Sequence, residues 1–357
     1  MPDSMTDNSG PTTSDEREHQ LDAALARLPR VSLASIQQTP LEAAPRLSEH
    51  LGGPPIYIKR DDLTGMACGG NKTRMLEFAL ADALQAGADT IVCGSAVQSN
   101  YCRQMAAACA RLGLELHLLL RPERDIDLQE VQGNHLLMHL FGAHVTVLNE
   151  SDVDVQAEAI AARAAQLEAA GRSVYQPRQD DTVDLDALAY TQMALELVRQ
   201  CRAQAIDPRF LYVAALDTTQ AGIVLGLSWL EQEIQVKAIS PYPGVTDRHQ
   251  ILASIANQGA TRLGLEIEFG SDDFDNDDSH VGERYGVSTP AGMDAVRTIA
   301  RTEGLLLDPV YTGKALGALF AHIRSGQLPA DAPVIFVHTG GHPALFAYAA
   351  DVLHEAE

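Results

Sequence analysis

A lysine follows two glycines in Gly69-Gly70-Asn71-Lys72-Thr73-Arg74, and no other segment of the chain carries clearer chemical content. The paired glycines let the backbone turn sharply after the run 56–59 and its Arg60-Asp61-Asp62 extension, which places the lysine at the start of a helix. An amine in an apolar pocket, or beside a helix N-terminus that opposes its charge, titrates low enough to act as a nucleophile and form a Schiff base with an aldehyde. A second polar turn, Gly94-Ser95-Ala96-Val97-Gln98-Ser99-Asn100, joins a strand to a helix and points side chains into the crevice above a sheet. Three more follow: Arg284-Tyr285-Gly286, Asp308-Pro309-Val310-Tyr311-Thr312-Gly313-Lys314 and His338-Thr339-Gly340-Gly341-His342-Pro343. Singly, each reads equally well as an ordinary loop, and Lys72 as a solvated surface amine.

The elements that must position these turns alternate along the chain. Short apolar or β-branched runs at 56–59, 90–93, 116–120, 144–148, 210–215, 236–239 and 334–337 read as strands. Longer amphipathic stretches at 73–86, 99–112, 153–170, 185–202, 221–233, 290–302 and 312–324 read as helices. The alternation predicts the α/β class, with mostly parallel sheets covered on both faces and ligands outside the carboxyl ends of strands. A chain of 357 residues with 46% hydrophobic content exceeds the size at which one core keeps growing, so two lobes are expected. Residues 1–18, rich in Asp, Ser, Thr, Asn and Pro, are expected to form a disordered tail.

Composition also excludes partners. The formal net charge is −22, and the basic residues, mostly arginine, form no cluster, which argues against nucleic acid and anionic membrane. No apolar run approaches the ~20 residues of a membrane span, and the polar, acidic start lacks the features of a signal peptide, so the cytoplasm is expected. Cys68, Cys93, Cys102, Cys109 and Cys201 include no Cys-x-x-Cys pair and read as reduced. Only Cys68, beside the glycine turn, has a second reading as a reactive thiol. The acidic run 271–279 (SDDFDNDDS) lacks the glycine and terminal glutamate of an EF-hand and reads as a solvated loop. His135 and His139 stand four apart without a third metal ligand at a suggestive spacing.

In this order and at these separations, GGNKTR, QSN, DPVYTGK and HTGG, with IKRDDLTG at 58–65 and LLLDPVYTGKALG at 305–317, resemble the family of D-cysteine desulfhydrase, 1-aminocyclopropane-1-carboxylate (ACC) deaminase and L-cysteate sulfo-lyase. The resemblance runs from about Leu28 to Tyr348. It implies the tryptophan-synthase-β-like fold (fold type II of pyridoxal phosphate enzymes), with two doubly wound, three-layer α/β lobes. The larger lobe would take residues 20–74 plus 206–357 and the smaller 75–205, with the ligand in the cleft; such proteins are usually homodimers. The resemblance makes Lys72 the Schiff-base lysine, with Asn71 beside it, and Asn100 the partner of the cofactor's phenolic oxygen. Gln98, Ser99 and Asn100 would receive a small amino-acid substrate, Ser99 also helping in proton transfer, and Tyr285 and Tyr311 match two active-site tyrosines. Thr218, Thr219 and Gly222 would meet the phosphate, and Thr312 and Thr339 the pyridine nitrogen. Hydroxyls at that nitrogen make a weaker electron sink than a carboxylate would, which suits β-elimination to an oxo acid and ammonia better than cyclopropane opening.

The pattern breaks on one side of the ligand. The family's phosphate loop, SGSAGTxAG, reads Ala214-Ala215-Leu216-Asp217-Thr218-Thr219-Gln220-Ala221-Gly222 here, and a lysine three residues after the Schiff-base lysine is replaced by Met75. A carboxylate about 4 Å from a phosphate repels it by roughly 4 kcal/mol per unit charge even at an effective dielectric near 20. The family's Gly-Gly-Ser loop is replaced by Arg178-Gln179-Asp180-Asp181. Three readings follow: pyridoxal phosphate held by substitute contacts from Thr218, Thr219 or Arg178; Lys72 acting on another ligand; or a silent protein that binds a metabolite or a partner.

Overall fold

The computed structural model describes residues 13–244 and 247–353. Ten strands form two sheets: β1 (Leu41–Ala43), β2 (Ile56–Lys59), β3 (Thr90–Ala96), β4 (Glu115–Arg121), β5 (His144–Val147), β6 (Val174–Tyr175), β7 (Phe210–Ala214), β8 (Gln235–Ile239), β9 (Asp275–Asp277) and β10 (Val334–Val337). One sheet has the order β1-β2-β10-β7-β8-β9, the other β5-β4-β3-β6. All pairings are parallel except β1 with β2. The parallel pattern explains why β7 and β10 read as unbroken apolar runs, because helices cover both of their faces. In register, Val337 lies opposite Lys59 on one side and Val213 on the other. The carboxyl ends of β2, β10 and β7 therefore share one edge, where the turns bearing Asp61, Thr339 and Asp217 emerge.

The largest apolar core joins β7, β8 and β10 to the helices Asp184–Gln204, Thr218–Trp229 and Arg248–Leu263. The sequence placed 185–202 in the smaller lobe; instead that helix packs along Thr218–Trp229 in the six-stranded lobe. Their close approach is what requires glycine at two positions. A Cβ on Gly222 would stand 2.0 Å from the Ala187 carbonyl oxygen, and one on Gly226 would stand 2.6 Å from Ala194 Cβ. Gly222 is thus accounted for by helix packing rather than by a ligand.

Other expectations change at the periphery. The tail does not reach residue 18: Thr13 caps the helix Ser14–Ala26 in a capping box with Glu16, and Leu21, Ala24 and Leu25 are buried under it. Residues 1–12 of that expectation lie outside the described part. The acidic run holds the edge strand β9 rather than only a loop, with Asp275 paired to Lys237 and Asp278 to Arg248. Among the described residues no helix is long and apolar enough to cross a membrane. All five cysteines are unpaired, with Cys68 exposed and the others buried.

Candidate active site

The turn before Lys72 keeps four consecutive residues at positive φ: Ala67 (49°), Cys68 (67°), Gly69 (69°) and Gly70 (123°). Glycine is needed at the last two. A Cβ on Gly69 would meet the Asp62 carbonyl oxygen at 1.8 Å, and one on Gly70 would meet Gln104 Nε2 at 2.6 Å. Ala67 and Cys68 adopt the left-handed region without that freedom, at a cost of about 1–2 kcal/mol each. A network behind the turn holds it. Arg74, two residues past Lys72, donates to Asp61 Oδ1 (3.0 Å) and Glu196 Oε2 (3.0 Å), and Lys59 pairs with Glu196. Thr39 and Tyr190 complete Asp61 at 2.6 and 2.8 Å. The IKRDDLTG and GGNKTR segments are therefore one buried unit that fixes the start of the helix Lys72–Gln85.

The chain has four lysines, Lys59, Lys72, Lys237 and Lys314. Lys59 is buried against Glu196, Lys237 pairs with Asp275, and Lys314 donates to the Val281 carbonyl at 2.6 Å. Lys72 alone has no oxygen partner: its amine lies 3.5 Å from Met75 Sδ, at the wall of a cavity of ≈ 180 Å³. Burial, and after it the Arg178 cation, brings its pKa down from 10.5 to about 8, against the opposing pull of Asp186 and Asp217.

Carboxyl-end turns of both sheets line this cavity. Of the residues singled out in the sequence, Asn71, Ser99, Asn100, Thr219, Tyr311 and Thr339 line it. Ser99 caps the helix Asn100–Leu112, its Oγ accepting from Cys102 N at 3.2 Å. Asn100 Oδ1 accepts from Arg103 and Asn134 (3.0 and 2.8 Å), which leaves its NH2 group for the cavity side. The Thr339 carbonyl accepts from Asn71 N at 2.9 Å, tying the HTGG turn to the lysine turn.

Other expected site residues stand one layer back. Gln98 spends its amide on the backbone of Gln132 and Asn134, and so positions a loop rather than facing the cavity. The Thr312 hydroxyl donates to Asp308 Oδ1 at 2.7 Å, and the Asp308 carboxylate also accepts from the backbone N–H groups of Val310, Tyr311 and Thr312. The DPVYT segment is thus a self-capped helix start. Tyr285 is buried behind Tyr311, its OH 2.5 Å from the Tyr311 OH, and its ring stacks on Tyr242 at 4.1 Å. Burial pushes both phenols well above their ordinary range, so at neutral pH they hold their protons.

Three groups were missed in the sequence. Tyr242 lines the cavity from the turn after β8, and Tyr101 from the helix after Ser99. Asp186 lies on the helix Asp184–Gln204 that the sequence assigned elsewhere; burial pushes its carboxyl up, and one oxygen has no hydrogen-bond partner. Only Asp186 had a signal, its place in an acidic first helical turn.

At the far end, the Asp217 carboxylate accepts from Thr218 N at 2.6 Å through one oxygen and from Arg178 Nη2 at 2.7 Å through the other. Burial opposes its ionisation, yet Arg178 and Lys72 hold it below the usual carboxylate range.

The family model for pyridoxal-phosphate dependent enzymes matches residues 33–340. The chain belongs to that family. It is 39% identical over 328 residues to a D-cysteine desulfhydrase of Salmonella choleraesuis (strain SC-B67), covering 91% of this chain and 97% of that protein. A D-cysteine desulfhydrase of Salmonella typhi is 38% identical with the same coverage. A crystal structure of an ACC deaminase homologue superposes with a TM-score of 0.83 at 33% identity, covering 94% of this chain and 98% of that one. Diaminopropionate ammonia lyase of Escherichia coli shares the fold at a TM-score of 0.63 and 16% identity.

The donor set fits the family's cofactor. A free amine, the Asn100 NH2 and the Thr339 hydroxyl face one end. At the other stand a helix N-terminus, Thr219 and the Arg178 guanidinium, whereas Thr218, expected from the sequence at the phosphate, does not line the cavity and has its hydroxyl buried without a partner. Asp217 is the one group of the wrong sign for a phosphate.

Proposed function

We propose that this chain catalyses β-elimination from a small amino acid, in the manner of a D-cysteine desulfhydrase, giving an oxo acid, ammonia and the leaving group. The observation that carries this reading is the Lys72 amine, free of any acid partner and half neutral near pH 8, facing a small cavity with Ser99 and Tyr311. When bound, pyridoxal phosphate supplies an aldehyde that takes up amino groups and a ring that draws electrons from the α-carbon. Lys72 would hold the group through its amine, and the same Nζ takes the α-proton from the substrate, with Ser99 Oγ as its relay. The α C–H bond and the β C–S bond break, and the Tyr311–Tyr285 pair gives the departing sulfur a proton. The enamine product hydrolyses to the oxo acid and ammonia. Asn71 and Asn100 orient the ring end, Thr339 faces it as a neutral hydroxyl, and Gln98 and Thr312 act by holding Asn134 and Tyr311 in place.

Purified protein supplied with pyridoxal phosphate is expected to release sulfide and an oxo acid from D-cysteine and to leave ACC unopened. Absence of oxo acid from every small amino acid tried, with cofactor bound, would overturn the reading. Below pH 8 Lys72 is protonated and cannot take a proton, so turnover is expected to rise as pH climbs through about 8. A profile flat from about pH 6 to about pH 9 would contradict that role.

The same proposal includes a homodimer in the cytoplasm. Five unpaired thiols suit a reducing compartment. Leu136 (52% exposed) and Leu140 (75%) on the helix Gly133–Leu140, with Phe346 (69%) on the turn packed against it, form an apolar face for a second copy. Sedimentation equilibrium is expected to give twice the chain mass, and Leu140→Glu to lower it; a monomer at all concentrations would refute the dimer.

A further inference from the structure

We propose that Arg178 and Asp217 form an exchangeable anion seat, in which the Asp217 carboxylate occupies the place of a phosphate monoester and Arg178 is the cation that changes hands between them. This rests on the β-elimination reading for the identity of the incoming phosphate. Asp217 precedes the helix Thr218–Trp229, and its carboxylate bonds to the first helical N–H, as an anion does at a helix N-terminus. The second oxygen is held by Arg178, so the carboxylate is gripped on both sides like a bound ligand. The Thr218 hydroxyl in the first turn of that helix is buried without a hydrogen-bond partner.

Among the residues lining the cavity, Arg178 is the one cation besides Lys72, and Met75 stands where a second lysine would be. The guanidinium is positioned to change partners. Its remaining neighbours are Asp186 at 3.6 Å and the Tyr101 ring at 5.8 Å. Its backbone sits at φ 65° in the loop after β6. Charges close in the same way: with Arg178 on Asp217, the two balance. An arriving phosphate takes Arg178 and the helix N-terminus, and the Asp217 carboxylate must swing away or take a proton. Phosphate-bearing ligands therefore bind this chain more weakly than they would bind a seat of bare backbone N–H groups, and they leave it more readily.

The test uses three probes on the full chain: inorganic phosphate by thermal shift, and pyridoxal phosphate and pyridoxal by equilibrium dialysis. Asp217→Asn keeps the helix cap and deletes the charge. It is expected to tighten pyridoxal phosphate at least about tenfold and to strengthen the phosphate shift, while pyridoxal changes less than about twofold. Arg178→Gln is expected to weaken both phosphate-bearing probes at least about tenfold and spare pyridoxal. Unchanged phosphate binding in either variant would overturn the seat. If pyridoxal forms an adduct but no phosphate effect follows the variants, the seat falls and the Lys72 reading stands. If phosphate responds to both variants and no adduct forms with either aldehyde, the seat stands and that reading falls.

Discussion

Lys72→Met is expected to remove the absorbance near 410–420 nm that pyridoxal phosphate gives as a lysine imine, and to lower β-elimination by roughly 10³-fold or more, about 4 kcal/mol of barrier. No other lysine can substitute, because Lys59 and Lys237 are held by carboxylates and Lys314 by the Val281 carbonyl. The same substitution has an opposite expected effect on stability. Holding the amine at about 8 instead of 10.5 costs roughly 3 kcal/mol while it is protonated. The folded value lies below the unfolded one, so the cost is full below pH 8 and fades as pH rises towards 10.5. Lys72→Met is therefore expected to melt higher than the parent at pH 7, with the gap closing above pH 10, on the order of the unfolded lysine value. Retained colour and turnover would contradict the assignment; a lower melting point at pH 7 would contradict the burial argument.

Glu196→Ala is expected to destabilise the fold by about 3–5 kcal/mol, a fall in melting temperature on the order of 10 °C. Glu196 accepts from Lys59 and from Arg74 at 3.0 and 3.2 Å, all deep in the chain, with Lys59 fully buried. Its loss leaves two buried cations facing Asp61 alone. The charge imbalance sits two residues from Lys72, so cofactor affinity is expected to fall as well. Glu196→Gln, which keeps one acceptor and the shape, is expected to lie between the two. A midpoint within about 2 °C of the parent would show that the network does not anchor the turn.

The strands 56–59 and 334–337 were legible to the residue because their apolar runs end at polar turns, and the lysine turn because two glycines precede it. The helix Ser14–Ala26 was hidden by a polar composition that masks a capping box and three buried apolar positions. β9 was hidden because an edge strand in the sequence Asp-Asn-Asp has no apolar alternation to read. Within the site, residues on the lysine turn and the 94–100 turn could be placed from motif alone. Tyr101 and Tyr242 could not, since only tertiary packing brings them to the cavity, nor could Asp186, which packing sets behind it against Arg178. Gln98 and Thr312 show the converse: a motif position is kept by side chains whose bonds go to Gln132, Asn134 and Asp308. The departures at 178 and 217, separate in the sequence, meet as one ion pair.

The most direct test of the central claim is borohydride reduction of the purified protein with pyridoxal phosphate at pH 8, on the order of the Lys72 value, followed by peptide mapping. With only four lysines in the chain, peptide mapping distinguishes every lysine that could carry the label. The expected result is a pyridoxyl group on Lys72 and on no other lysine. A label on Lys59, Lys237 or Lys314, or an unlabelled chain, would contradict the account.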